Sequence, residues 1–98
     1  MGIQNIGTTV SKDFRLHQNY PNPFNPVTNI KFEVVKFENV SIKVFDMLGK
    51  EVTTLVNKKL TAGTYQVDFN ASNLTSGIYF YTISAGDYVD TKKMMLIK

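Results

Sequence analysis

Apolar and polar positions alternate with a period of two along most of this chain. Ile30, Phe32 and Val34 fall on one face of a run, with Asn29, Lys31 and Glu33 on the other. Val40, Ile42 and Val44 repeat the pattern against Ser41 and Lys43, and Tyr65, Val67 and Phe69 against Thr64, Gln66 and Asp68. Alternation of this kind marks half-buried β-strands. Gly77 to Ile83 is the most apolar run, so it predicts a central strand buried on both faces or nearly so. Asp46-Met47-Leu48-Gly49 carries the residues of a type I turn with a G1 bulge, which predicts a hairpin of Val40–Asp46 with Lys50–Val56. Asn57 to Gly63 reads as a polar connection, and Asn70 to Gly77 as a loop with Leu74 free to plug downward. Gly86-Asp87 predicts a two-residue turn that sets Ala85 opposite Tyr88 and Tyr79 opposite Met94. That register puts Asp90 and Lys92 on the face of Tyr81 and Ile83, so they lie at a rim or the ladder carries a bulge. About seven strands and no helical period predict an all-β, immunoglobulin-like β-sandwich of antiparallel strands.

Residues 1–12 lack a period and read as an N-terminal tail or linker, leaving 13–98 as the domain. Phe14, Leu16 and Gln18 begin a first edge strand that a proline cluster stops. The three prolines, Pro21, Pro23 and Pro26, all lie in one short stretch. Each fixes φ, removes an N–H donor and pushes the residue before it out of the helical region. The stretch must be extended, and it cannot pair as a central strand. Tyr20 and Phe24 are spaced to reach an apolar surface, which predicts a lid on the open end of the sandwich.

Composition narrows the function. A chain of 98 residues with 43% hydrophobic content makes one globular domain. It has no cysteine, hence no disulfide and no thiolate nucleophile. The net charge of +3 comes from scattered lysines and Arg15, without the clustered stripe that nucleic acid requires. No apolar run is long enough for a spanning helix, so direct membrane insertion is not expected. The start has neither a basic nor an apolar signal region, so an export signal would lie upstream in a longer parent. His17 is the single histidine and the carboxylates stand alone, so no catalytic, metal or cofactor site is expected. Three Asn-x-Ser/Thr sequons, at Asn39, Asn70 and Asn73, have no chemistry without a glycosylating host.

The ordered motifs resemble a known family. Leu16-x-Gln18-Asn19-Tyr20-Pro21-Asn22-Pro23-Phe24-Asn25-Pro26-x-Thr28-x-Ile30 looks like the opening of the type A C-terminal sorting domain of the type IX secretion system. Val44-Phe45-Asp46-x-Leu48-Gly49-Lys50-Glu51-Val52 resembles its middle hairpin. Gly63-Thr64-Tyr65, Ser76-Gly77-Ile78-Tyr79-Phe80-Tyr81 and the ending Lys92-Lys93-Met94-Met95-Leu96-Ile97-Lys98 complete the set. Asn70 departs mildly, standing where many members have Asp.

The resemblance implies a non-enzymatic signal at the C-terminus of an exported cargo of Bacteroidetes type. Such a domain folds in the periplasm and is recognised by an outer-membrane translocon. A sortase-like peptidase then cuts it off, here within or upstream of residues 1–12, and the cargo reaches the cell surface or the medium. Its implied partners are therefore the translocon, the peptidase and the N-terminally fused cargo, and its expected state is a monomer or at most a weak dimer. Partner recognition would fall on Gly63, Tyr65, Lys92, Lys93, Met94, Leu96 and Lys98, with Tyr88–Lys98 an edge strand offering backbone groups. Structural motif roles would fall on Pro21, Pro23, Phe24, Pro26, Asp46, Gly49, Gly77 and Tyr79. A second resemblance is to the immunoglobulin-like domain of flagellar hook-capping proteins, which shares the Pro-rich opening and the Ser-Gly-x-Tyr strand. Those domains usually carry a longer acidic, Gly-rich loop before that strand and lack a Lys-Met-x-Leu-x-Lys ending. A third reading is a spacer or sugar-binding sandwich on a secreted hydrolase.

Overall fold

A computed structural model describes residues 3–7 and 12–98. Its elements are β1 (Ile3–Gly7), β2 (Arg15–Leu16), β3 (Val27–Val34), β4 (Glu38–Phe45), β5 (Glu51–Leu60), β6 (Gly63–Asn70), β7 (Gly77–Ala85) and β8 (Tyr88–Leu96). They form two antiparallel four-stranded sheets, ordered β1-β6-β3-β2 and β5-β4-β7-β8. The alternation works as the sequence predicts. Ile30, Phe32 and Val34 of β3 meet Val40, Ile42 and Val44 of β4 and Tyr81 and Ile83 of β7 in one core, all fully buried or nearly so. Phe32 stacks on Tyr65 with ring centroids 5.6 Å apart.

The β4–β5 hairpin turns as expected. The Asp46 N–H donates to the Lys50 carbonyl, and the Asp46 Oδ1 accepts from the N–H groups of Leu48 and Lys50 at 2.9 Å. Gly49 takes φ +84°, which only glycine adopts cheaply. Asp46→Ala should therefore lower stability by about 1 kcal/mol through the lost turn bonds. A drop in the urea midpoint at unchanged m-value checks this; an unchanged midpoint removes the turn's role.

The last hairpin settles the question of register. Tyr79 pairs with Met94, Tyr81 with Lys92 and Ile83 with Asp90 in an uninterrupted ladder. Asp90 and Lys92 are half-buried, so they lie at the rim and no bulge intervenes.

Elsewhere the structure departs from the sequence reading. Ile3–Gly7, expected as tail, is an edge strand on β6, with Ile3 opposite Val67 and Asn5 opposite Tyr65. Ile3 packs against the core while Gln4, Asn5 and Ile6 are exposed, so almost no apolar signal marks the strand. Residues 1–2 and 8–11 lie outside the described residues. Asn57–Leu60, expected as a polar connection, continues β5, because Glu38, Asn39 and Val40 pair with Leu60, Lys59 and Lys58. At this sheet edge Asn57, Lys58 and Lys59 are all exposed, so the strand reads as a loop. β7 is central but buried on one face only, since Ile78, Phe80 and Thr82 on its outer face are half-exposed.

Candidate functional site

The proline-rich stretch is where the two sheets are joined. Its first half lies along β3: the His17 N–H donates to the Lys31 carbonyl, and Tyr20 and Asn29 exchange backbone bonds at 3.0 Å. Its second half lies along β8. The Phe24 N–H donates to the Met95 carbonyl and the Ile97 N–H to the Phe24 carbonyl, both at 3.0 Å. The Met95 N–H donates to the Asn22 Oδ1 at 3.0 Å, and the Gln18 Nε2 to the Lys93 carbonyl at 2.7 Å. The missing donors of Pro21, Pro23 and Pro26 are no loss in such a crossing, which needs few ladder bonds.

Phe24 drops from the crossing into the core at 2% exposure and faces Phe69 at 6.1 Å. The lid thus exists, and it crosses from β3 to the last residues of β8. Tyr20, expected to reach inward with Phe24, is 77% exposed. Pro21 and Pro23 are exposed, while the half-buried Pro26 accepts from the Ala71 N–H at 2.8 Å.

A buried polar knot holds the crossing in place. The Tyr81 hydroxyl accepts from the Asn19 N–H and donates to the His17 carbonyl, each at 2.7 Å. The Asn19 Nδ2 donates to the Thr28 Oγ1 at 2.9 Å, and Thr28 in turn donates to the Pro21 carbonyl at 2.9 Å. Burial pushes the Tyr81 hydroxyl up to about 12, against the opposing pull of the Asn19 bond. Sequence reasoning missed Asn19, Thr28 and Tyr81 as a unit, since their pairing depends on contacts across the whole fold.

It also missed a repeat that was open to view. Thr61-x-Gly63-x-Tyr65 and Thr75-x-Gly77-x-Tyr79 share one pattern. In each, the tyrosine hydroxyl donates to the carbonyl of the threonine four residues upstream, at 2.8 Å. Each bond fastens the entry of a strand to the core tyrosine, the logic of a tyrosine corner.

The expected recognition residues separate into two groups. Gly63, Tyr65, Met94 and Leu96 are buried. Gly63 lies under β1, where a Cβ would come within 3.0 Å of the Gly7 carbonyl oxygen, so glycine admits the strand above it. Lys93 and Lys98 are exposed and Lys92 is half-buried. The Lys98 Nζ donates to the Ser72 carbonyl at 2.6 Å, and its N–H to the Ser76 Oγ at 2.9 Å. The β8 edge is not free along its length, because the crossing occupies the outward groups of residues 93–97. Of the structural motif residues, Gly77 opens β7 opposite Leu96, and Tyr79 is buried beside it. Among the described residues no group of three or more His, Asp or Glu side chains could hold a metal ion.

These features define an all-β sandwich whose C-terminal strand is built into the core while its lysines stay outside. The family model of the secretion system C-terminal sorting domain matches residues 18–98, and the chain belongs to that family. It is thus a C-terminal sorting signal of the type IX secretion system, carried by a secreted protein that passes the outer membrane. No curated protein matches the chain. Among solved structures it is similar to PorZ, described as an essential bacterial surface component of the type IX secretion system of Porphyromonas gingivalis. The identity is 20% and the TM-score 0.60, over 83% of this chain and 11% of that one. At that identity the likeness shows the shared fold.

Proposed function

We propose that the folded sandwich is itself the signal. It directs an N-terminally attached cargo to the type IX translocon from the periplasm and is then removed by a sortase-like peptidase, leaving the cargo at the cell surface or in the medium. The observation that carries this reading is the burial of the ending. Met94 and Leu96 are each 1% exposed, and Phe24 grips the strand between and beyond them. A receptor that read these side chains in an extended tail would have to undo the core first. In the folded domain Lys93 and Lys98, with the half-buried Lys92, stand at the surface of the ending beside the exposed Met95 and Ile97. Positive charge of this kind steers association with an acidic receptor. The exposed lysines also protect the edge from aggregation, and both roles can hold.

The test is a reporter carrying a signal peptide and this domain, expressed in a host with the type IX system. Deleting Leu96-Ile97-Lys98 removes a core residue, so that variant confounds folding with recognition. Replacing Lys93 and Lys98 with alanine leaves the core intact and is the informative change. Surface delivery should fall about tenfold, equivalent to about 1.4 kcal/mol of lost affinity, with an unchanged circular dichroism melt. Wild-type delivery by the folded variant would remove the basic ending from the signal. The mass of the released cargo should show loss of the whole domain, and sedimentation should give a monomer.

A further inference from the structure

The two sheets leave a recess of about 250 Å3 where β5 of one faces β6 of the other. Val52 and Leu55 of β5, Phe69 of β6 and Leu74 of the following loop give it an apolar lining, with Asn70 and Asn73 beside them. Val52, Leu55 and Leu74 pack against the core but are only half-buried, so apolar surface is left uncovered here. β1 begins just short of this recess. Ile3, Gln4 and Asn5 pair with Val67, Gln66 and Tyr65 in regular register, and the irregularity in the ladder falls at the other end, between Asn5 and Gly7. Ile3, opposite the buried Val67, packs against the core. Gln4 lies on the outer face, where the Gln66 Nε2 donates to its Oε1 at 2.6 Å. On its other side β6 pairs with β3 as far as Asn70, but no described strand flanks Asp68, Phe69 or Asn70 on the β1 side.

The register of β1 says what reaches the uncovered part of β6. An antiparallel ladder advances one residue on each strand per step, and side chains alternate between its faces. Carried two residues back from Ile3, the register sets Gly2 opposite the exposed Asp68 and Met1 opposite the buried Phe69. Met1 would thus share the inner face with Ile3 and meet the recess that Phe69 lines. Its side chain is suited to the place, since methionine is unbranched and adapts to irregular apolar gaps.

We infer that the recess between β5 and β6 is a binding site for the chain just ahead of Ile3, with Met1 as the side chain that fills it and β1 lengthened to pair with Asp68 and Phe69. The site continues a ladder that is already in place, and its apolar lining matches the residue that the register delivers. A small polar ligand fits less well, since no buried side-chain nitrogen or oxygen among the described residues is left unpaired to orient one. The inference goes beyond the sorting function and does not depend on it, because it concerns how the sandwich holds the chain that enters it. Where a cargo precedes the domain, that chain is the link to the cargo, and the grip falls on the link.

The experiment uses the full purified chain behind a short Gly-Ser extension, so that position 1 is an internal residue. Met1→Asp puts a charge into the recess and should lower the melting temperature by about 4–8 °C. Met1→Leu keeps the apolar contact, and Gly2→Ser changes the outward neighbour, so both should melt like the unsubstituted chain. Disulfide trapping then reads the register directly, because the chain has no cysteine of its own. Gly2→Cys combined with Asp68→Cys should form a disulfide within one chain under mild oxidation, as cross-strand partners lie within its reach. Gly2→Cys combined with Thr64→Cys, which lies opposite Gly7, should stay reduced. A Met1→Asp chain that melts like the unsubstituted one overturns the inference, and so does a failure to trap positions 2 and 68. A disulfide that links two chains instead would make the occupant a segment of a second copy, which also overturns it. None of these outcomes touches the sorting function, since delivery of a cargo is not what they read.

Discussion

Phe24→Ala should cost the domain about 3–5 kcal/mol, the usual loss for a large aromatic side chain cut from a core. Phe24 is 2% exposed and packs on Phe69, and its backbone is bonded to Met95 and Ile97. The alanine variant would leave a cavity where the two sheets are joined, and the backbone bonds that seal β8 would lose the anchor that positions them. Domains of this size hold about 5–15 kcal/mol in total, so the variant should be marginal at physiological temperature. At about 4–8 °C per kcal/mol, its melting temperature should fall by more than about 12 °C. Asn25→Ala, one residue on and exposed, should stay within about 0.5 kcal/mol of wild type. Thermal melts of the two variants side by side check this. Equal melting of Phe24→Ala and wild type would mean that the stretch merely lies on the surface.

The contrast between these neighbours shows what could be read from the chain. Prolines at 21, 23 and 26 excluded a central strand and required an extended path. They could not say that the path leaves one sheet for the other, because that depends on Tyr81, more than sixty residues away along the chain. The same division holds for the strands. β3, β4 and β6 were legible because one face of each is buried, and burial on one face writes alternation into the sequence. The β7–β8 register followed from the tight Gly86-Asp87 turn alone. β1 and the far end of β5 were illegible because they are edges with little to bury. Their structure comes from backbone pairing, which leaves no mark on side-chain pattern. The motif residues behaved likewise. Asp46 and Gly49 act locally and were readable as a turn, while Gly63 owes its role to a strand that the sequence did not reveal. The one-sided burial of β7 was hidden for a related reason: an apolar run such as Gly77–Ile83 reads as buried on both faces, and only the assembled sandwich shows that its outer face is half-exposed.

Tyr81→Phe should lower stability by about 1–3 kcal/mol at neutral pH, although it removes a single oxygen atom. That oxygen accepts the Asn19 N–H and donates to the His17 carbonyl, and Tyr81 has no exposed surface. Phenylalanine would leave a buried backbone donor and a carbonyl unpaired, which is the expensive way to lose a hydrogen bond. The wild-type protein should also show an alkaline limb that the variant lacks in part. In the unfolded chain Tyr81 titrates near the ordinary tyrosine value of about 10. In the folded chain burial holds it up to about 12. Below the unfolded value both states keep the proton, and the stabilisation is complete. As pH rises from about 10 towards 12 the unfolded state releases the proton first, so stability falls across that window. Tyr88 keeps its own share in both proteins, since burial and then the Asp90 carboxylate raise it as well. Chemical denaturation at pH 8, 10 and 11 should therefore give a gap between wild type and Tyr81→Phe that is widest at pH 8 and narrows as the pH is raised. A gap that stays constant would mean that the Tyr81 hydroxyl ionises alike in both states, and a variant as stable as wild type at pH 8 would mean that the knot does not hold the crossing.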